Sequence, residues 1–373
     1  MLELTRGRLP VLSDPAVMEW CGRLRATPAL RPIWDAALAS ELLALAALRG
    51  AAPELCLALT DTALMRPDLS LAPQLAELAA QIDEPLRTQL LTAAFPKVGI
   101  ASARVLVNDS RLPVRVTALA ALPVLGMDGA PELRAALSGT ELPVQLAALR
   151  GLGEIRDAEA LDEVALFAQP GQPHELHKEA VWALGRFGQP RALPLLQEAA
   201  TSESPALRVS ALLAIAAIPG QEAQMALGAL FPEYAGTALE GSYLRALLEL
   251  GASGARQTLQ PYLVHRDSVL VRRSALLGGL LGDPAAASSL MEWLPVDPRN
   301  PELLEALANV LCVDFRTLPD PAGTYLAWWR DHSNLPPADW FSSAARGSGF
   351  NLPIHFAEAD AQPRVAVAEL LKV

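Results

Sequence analysis

Lysine is nearly absent from this 373-residue chain and occurs only at Lys97, Lys178 and Lys372. Lysine and arginine together number 30 against 41 acidic residues, so the formal net charge is −11 at pH 7. Proteins that bind nucleic acid set basic side chains against the phosphates and release counterions, whereas an acidic surface repels phosphate. The composition therefore predicts that the chain binds no nucleic acid. Low lysine with abundant alanine and arginine also favours a GC-rich bacterial source.

Cysteine is scarce as well, and Cys21, Cys56 and Cys312 are odd in number and scattered. This pattern fits a reducing cytosol better than a disulfide framework. Long apolar runs are missing too, because even residues 36–48 are interrupted by Glu41, so we expect no membrane insertion. The N-terminus has no positive segment followed by an apolar run, which is the pattern of a secretory signal. The expected location is cytoplasmic.

The common catalytic and metal-binding motifs are missing: there is no G-x-S-x-G, no G-x-x-x-x-G-K-[ST], no H-E-x-x-H and no C-x-x-C. The densest titratable group is His174, Glu175, His177 and Glu179. A metal site needs three or more converging ligands, and neighbours at the start of a helix cannot all turn toward one ion. We interpret this group as a solvated turn, and we predict no catalytic residue, no cofactor and no metal.

Aromatic residues are only 5% of the chain although apolar residues reach 51%, so the core is predicted to be mainly alanine and leucine. What the chain has in abundance is repetition. A nine-residue phrase, such as VRVTALAAL at residues 114–122 and LRVSALLAI at residues 207–215, recurs about every 31 residues. A period of this length indicates a solenoid. Its fifth position, here called the anchor, falls at Leu90, Ala118, Ala148, Ala180, Ala211, Tyr243, Ala275 and Ala306.

Each period contains a second helical stretch between two phrases, for example residues 130–137 and 221–231. Several of these stretches open with proline, whose missing N–H is harmless in the first turn of a helix. Glycines fall in the joints, where a residue that tolerates positive φ can end a helix. Two short helices per period, without a β-rich window, predict an all-α fold: an α-solenoid of antiparallel helix pairs.

The two ends depart from the repeat, and we expect both to be caps because a terminal repeat must present a polar face to water. Residues 1–82 contain helical patterns without the phrase and form the N-terminal helical capping region. Residues 83–332 carry the repeats. Residues 333–373 form an irregular capping tail, in which an apolar end is covered by Trp340, Phe341, Phe350 and Phe356.

The turns before two phrases resemble the signature of HEAT repeats. Residues 109–115, DSRLPVR, and 267–273, DSVLVRR, each place an aspartate a few residues before a Val-Arg pair. Residues 178–185, KEAVWALG, are similar to the related repeats named after phycobilisome lyases. The resemblance covers roughly residues 84–332. It implies the fold but no particular function, because such repeats serve enzymes, adaptors and scaffolds alike.

One enzyme class among HEAT-repeat proteins invites comparison. Deoxyhypusine hydroxylases hold two irons with His-Glu pairs from several repeats, and this chain has such a pair at His174. The other candidates, His265, His332 and His355, are not followed by glutamate. One pair cannot assemble a two-metal site, so the resemblance does not extend to that chemistry.

Helical phase predicts which side chains of the phrase point away from the core. At 100° per residue, the positions two and six after the anchor lie opposite the buried arc, on the helix that lines the concave side in this repeat type. In the central repeats these positions are charged or aromatic: Arg150, Glu154, Trp182, Arg186, Arg245 and Glu249. A tryptophan flanked by arginines has the composition of an interface hot spot. The alternative is a set of solvated i,i+4 charge pairs, with Trp182 packed on a neighbouring side chain.

We therefore interpret the chain as a non-enzymatic scaffold or adaptor that binds another protein through the concave face of a HEAT-like solenoid. Two alternatives stay open. One is an enzyme or enzyme subunit on the same frame, lyase-like or hydroxylase-like. The other is an accessory component of a bacterial secretion machine. Metal or ligand bound to the purified protein would favour the enzyme.

Overall fold

The computed structural model describes residues 13–27, 35–66, 70–337, 339–340 and 343–344. Within these residues every regular element is a helix, which confirms the all-α prediction. The chain divides into two compact units, residues 1–195 and 196–373. Each unit is a series of short helices packed on their sequence neighbours, the arrangement of an α-solenoid. The predicted division at residues 82 and 332 stays a prediction.

The first unit contains ten complete helices among its described residues. The helices are α1 (Asp14–Arg25), α2 (Ala36–Leu48), α3 (Pro53–Ala63), α4 (Ala72–Gln81), α5 (Leu86–Val107), α6 (Leu112–Ala121), α7 (Ala130–Leu137), α8 (Leu142–Ile155), α9 (Leu161–Phe167) and α10 (His174–Phe187). The neighbouring phrase helices pack in series, α5 on α6, α6 on α8 and α8 on α10, while α3 packs on α1, α2 and α5.

Helix α11 (Leu193–Ala200) begins in the first unit and ends in the second. The second unit contains α12 (Pro205–Ala217), α13 (Gln221–Tyr234), α14 (Glu240–Glu249), α15 (Gly251–Leu263), α16 (Ser268–Leu280), α17 (Ala287–Trp293), α18 (Pro301–Leu311) and α19 (Pro321–His332). Helix α12 packs on α14 and α16 packs on α18, whereas α15 packs against both α14 and α16.

Several helices are preceded by residue types that are favourable N-caps. Ser204, Asp267 and Asn300 precede α12, α16 and α18, and each accepts a hydrogen bond from a backbone N–H of the first turn. Such caps satisfy donors that have no partner inside the helix. Proline occupies the first position of α12 and α18, where its fixed φ suits the helix. The boundaries of the repeats are thus set locally.

All eight anchors are buried, with relative exposures of 1% or less. Seven phrase helices therefore turn the predicted face inward around a small or leucine side chain, and the register read from the sequence is correct. The eighth anchor is Tyr243, whose hydroxyl donates to the Leu227 carbonyl at 2.9 Å. Its ring lies 5.5 Å from that of Phe231 and 5.7 Å from that of Tyr234, between centroids. An aromatic cluster thus replaces the close alanine packing of the other repeats.

Two helical stretches are long and apolar enough to cross a membrane by length and composition, Leu86–Val107 and Leu112–Leu137. Charged residues such as Lys97 and Arg115 interrupt both, so neither is an uninterrupted apolar run, and the absence of membrane insertion stays a prediction. Gly99, at φ 70°, interrupts the first stretch, and Gly126, at φ 60°, interrupts the second. Only 44% and 39% of the two windows are buried within the protein. Both stretches pack on neighbouring helices as parts of repeats.

Trp340, among the last described residues, packs in one buried cluster with residues of α18 and α19. The Trp340 side chain is buried, and its Nε1 donates to the carbonyl oxygens of His332 and Leu335, both at 3.1 Å. Trp329 meets Trp340 edge to face, with ring centroids 5.3 Å apart. Trp340 is thus buried, as predicted, whereas the capping role of residues 333–373 stays a prediction. Phe341, Phe350 and Phe356 lie outside the described residues.

Candidate protein-binding surface

The side chains of Arg150, Trp182 and Arg186 form a stack on the first unit, named here the Arg–Trp–Arg stack. Arg150 lies on α8, and the other two lie one turn apart on α10. The guanidinium carbon of Arg150 is 4.8 Å from the centroid of the Trp182 ring, and that of Arg186 is 6.0 Å from it. Both distances are within the range of a cation–π interaction, about 0.5–1 kcal/mol at exposed sites.

The indole of Trp182 rests on the backbone of Gly153 in α8. A β-carbon added at residue 153 would overlap the indole carbons and would come within 3.1 Å of Ala183 Cα. The absence of a side chain at residue 153 therefore lets α8 and α10 approach. One face of Trp182 is thus partly buried, as the alternative interpretation expected, and the residue is half-buried overall.

The acidic side chains near the stack contact only one of its two arginines. Arg150 makes long contacts of 3.4 Å to Glu154, one turn along α8, and to Glu179 on α10. Arg150 keeps 57% of its side chain exposed. Glu154 thus takes part in an i,i+4 pair. Glu179 was predicted to belong to a solvated turn, and its contact with Arg150 was not predicted. Its position three residues before Trp182, on the same face of α10, is the signal that could have revealed it.

Arg186 differs from Arg150 because it has no acidic partner among the described residues. Its Nε atom is buried and has no hydrogen-bond acceptor within that part of the chain. A buried donor left without an acceptor costs about 1–3 kcal/mol. Arg186 therefore carries a positive charge and an unsatisfied donor beside an aromatic ring.

The remaining two predicted surface residues, Arg245 and Glu249, lie on α14 in the second unit. Both side chains are exposed, as helical phase predicts. No ion pair joins them in the described structure, although they stand one turn apart. They are a separate exposed pair on their own unit.

The same phase rule fails in α16. Leu277, two residues after the anchor Ala275, is 2% exposed although the rule predicts an outward position. Helix α16 packs against α15, α17 and α18, and its Gly279 closely approaches Ala306 of α18. With neighbours on several sides, α16 has a wider buried arc than the other phrase helices.

The histidine and glutamate group at the start of α10 does not converge. His174 and Glu175 are exposed, His177 is buried, and Glu179 faces Arg150. In the described part of the chain, no three His, Cys, Asp or Glu side chains come together as metal ligands could. The prediction of a metal-free protein stays a prediction.

Comparison with known families matches residues 164–234 to the HEAT-repeat model. The chain contains HEAT repeats. The matched span runs from α9 through α13 and includes Trp182 and Arg186. It includes residues 178–185, one of the segments on which the resemblance was based, whereas the turns at residues 109–115 and 267–273 lie outside it. Comparison with curated proteins gives no match.

Three solved structures are similar to this HEAT-repeat chain at low identity. YibA of Escherichia coli is 14% identical, covering 76% of this chain and 98% of YibA, with a TM-score of 0.38. The CpcE–CpcF complex of phycocyanin lyase from Nostoc sp. PCC7120 is 21% identical, covering 74% and 94%, with a TM-score of 0.29. Human deoxyhypusine hydroxylase with glycerol is 18% identical, covering 76% and 98%, with a TM-score of 0.25.

Two of these three structures are of enzymes, and they correct one prediction. The expectation that the chain is not an enzyme, which was drawn from the missing catalytic motifs, was wrong: a phycocyanin lyase and a hydroxylase are among the solved structures to which the chain is similar. The low identities leave the similarity as one of fold. The repeats thus give no ground for excluding catalysis.

Proposed function

We propose that this HEAT-repeat protein binds a protein partner and that the Arg–Trp–Arg stack is the centre of the binding surface on the first unit. The observation that carries the proposal is the state of Arg186: its Nε is buried without an acceptor, next to a half-buried tryptophan. Arg186 as a whole is half-buried, so a partner's carboxylate can pair with the outer nitrogens of its guanidinium. Tryptophan and arginine are also the residues that most often dominate interface energetics.

The charges around the stack favour an acidic segment of the partner. Among the described residues Arg186 forms no ion pair, and the acidic contacts of Arg150 are two long ones of 3.4 Å. A carboxylate that meets a guanidinium in a bidentate fork gains both strength and geometric specificity. We also propose Arg245 and Glu249 as a second contact region, on the second unit. We further propose that the protein is cytoplasmic, binds no nucleic acid and does not insert into a membrane.

Affinity capture with matched variants tests the proposal. Wild-type protein, Trp182→Ala and Arg186→Gln are immobilised and exposed to an extract of the source organism. The matched control is Trp293→Ala, since Trp293 is a half-buried tryptophan with a guanidinium, that of Arg272, at 6.0 Å. A partner captured by wild type and control but lost with both stack variants supports the proposal. A partner retained by both stack variants contradicts it.

A further inference from the structure

A cavity of about 370 Å³ lies in the first unit, between α1, α3 and α5. Its lining residues lie more than 50 residues along the sequence from the Arg–Trp–Arg stack and have no part in the proposed protein-binding surface. Its volume falls in the range of about 300–1,000 Å³ that small-molecule sites occupy. A cavity of this size suits a small ligand better than a partner's helix.

Most of the cavity wall is apolar. Much of it is supplied by Met18 of α1, Leu57 of α3, Leu64 directly after α3, and Leu90 and Ala94 of α5. Leu90 is the anchor of the first phrase and is fully buried, which fixes the floor of the cavity to the repeat core. An apolar ligand chain bound against this wall is removed from water, which favours binding.

The charged groups of the cavity gather at one end. Asp61 of α3 pairs with the guanidinium of Arg25 at 2.9 Å and also with the ammonium of Lys97. Two cations therefore share one carboxylate, and the end carries one excess positive charge. The remaining acid of the lining, Glu54, lies seven residues earlier on α3, about 10 Å away along the helix axis.

The ammonium of Lys97 is not fully compensated. Burial, and then the nearby positive charge of Arg25, lower the pKa of Lys97. A second carboxylate near Lys97 would act in the opposite direction and favour its charged form. This is consistent with a place for one more negative charge beside Asp61.

We infer that this cavity binds a small organic monocarboxylate with an apolar chain. The ligand carboxylate lies between Arg25 and Lys97, and the chain lies on the apolar wall beside Leu57 and Leu90. The single excess charge matches a monoanion, whereas a dianionic phosphate would leave a net negative charge. This inference is independent of the proposed protein-binding function.

Calorimetric titration with dodecanoate tests the inference. Two further probes serve as controls: 1-dodecanol lacks the carboxylate charge, and acetate lacks the apolar chain. We expect dodecanoate to bind one per chain, and each of the other two to bind roughly tenfold more weakly or worse. Equal binding of 1-dodecanol overturns the carboxylate subsite. Failure of dodecanoate to bind up to its solubility limit overturns the whole inference.

Three variants locate the site. Lys97→Gln should weaken dodecanoate binding by about tenfold or more, whereas Lys178→Gln should not change it, because Lys178 is exposed on α10. Ala93→Trp fills the cavity from an exposed wall position and should abolish binding without changing the melting temperature. This variant keeps the test decisive if Lys97→Gln fails to fold. Unchanged binding by folded Ala93→Trp overturns the site.

Discussion

Trp182 and Gly153 meet across two helices: the indole lies where a side chain at residue 153 would be. The same position is 3.1 Å from Ala183 Cα, which is backbone and cannot turn aside as a flexible side chain could. This contact joins α8 to α10 directly beneath the Arg–Trp–Arg stack. The candidate surface therefore depends on Gly153, which has no side chain and could not contact a partner through one.

Gly153→Ala should lower the free energy of unfolding by about 1–3 kcal/mol, because the added methyl group overpacks this contact. Gly22→Ala is the matched control, since Gly22 lies within α1 with no atom within 4 Å of the added carbon. That control should be neutral or stabilise by up to about 1 kcal/mol, through helix propensity. Urea denaturation followed by circular dichroism measures both. A Gly153→Ala variant as stable as wild type would show that α8 and α10 are farther apart.

Ala211→Leu should also destabilise, by roughly 1–3 kcal/mol, because the anchor of α12 is fully buried and has no room for a larger side chain. Ala217→Leu, at an exposed position of the same helix, should change stability by less than about 0.5 kcal/mol. Thermal denaturation compares the two variants. Equal melting temperatures would contradict the register of the repeats.

The period and helical phase were enough to predict the helix pairs and all eight buried anchors, because both depend on local sequence. Contacts between helices were not predictable in the same way. Phase placed Trp182 outward, but only the packing of α10 on α8 shows that Gly153 lies beneath it. Phase also placed Leu277 outward, whereas its burial depends on several neighbours of α16. Tertiary neighbours decide such positions.

Arg134→Met should destabilise by about 3 kcal/mol. Arg134 donates to both carboxylate oxygens of Asp157, at 2.6 and 2.7 Å, and the Asp157 side chain is 0% exposed. Removing one partner of a buried pair leaves an uncompensated charge. Arg191→Met is the control, because Arg191 and Asp162 form a pair that is 73% and 78% exposed and should contribute less than about 1 kcal/mol. Equal effects in chemical denaturation would contradict the account.

The four tyrosines should resist ionisation while the protein is folded. Burial raises the pKa of Tyr234, Tyr243 and Tyr262, and it raises the pKa of Tyr325 to about 12. A raised folded pKa gives stability that is fully present below the unfolded value, about 10, and is lost as the pH rises through the folded value. Between about pH 10 and 12 we expect phenolate absorbance and helix loss to change together. Phenolate formed near pH 10 in fully helical protein would contradict this.

The binding variant Trp182→Ala has to be interpreted together with stability, because the indole also packs on Gly153. Arg186→Gln avoids this difficulty, since it removes the charge of a side chain that forms no ion pair among the described residues and keeps much of its length. Binding is therefore compared well below the melting temperature of each variant.

The central claim, that the Arg–Trp–Arg stack binds the partner, is tested most directly by the dissociation constant of the captured partner for wild type and Trp182→Ala. We predict that Trp182→Ala raises this constant by about 30-fold, which corresponds to about 2 kcal/mol. Arg186→Gln should raise it by a smaller factor, and that factor should shrink at high salt because exposed charges are screened. A folded Trp182→Ala variant that binds the partner as tightly as wild type would contradict the claim.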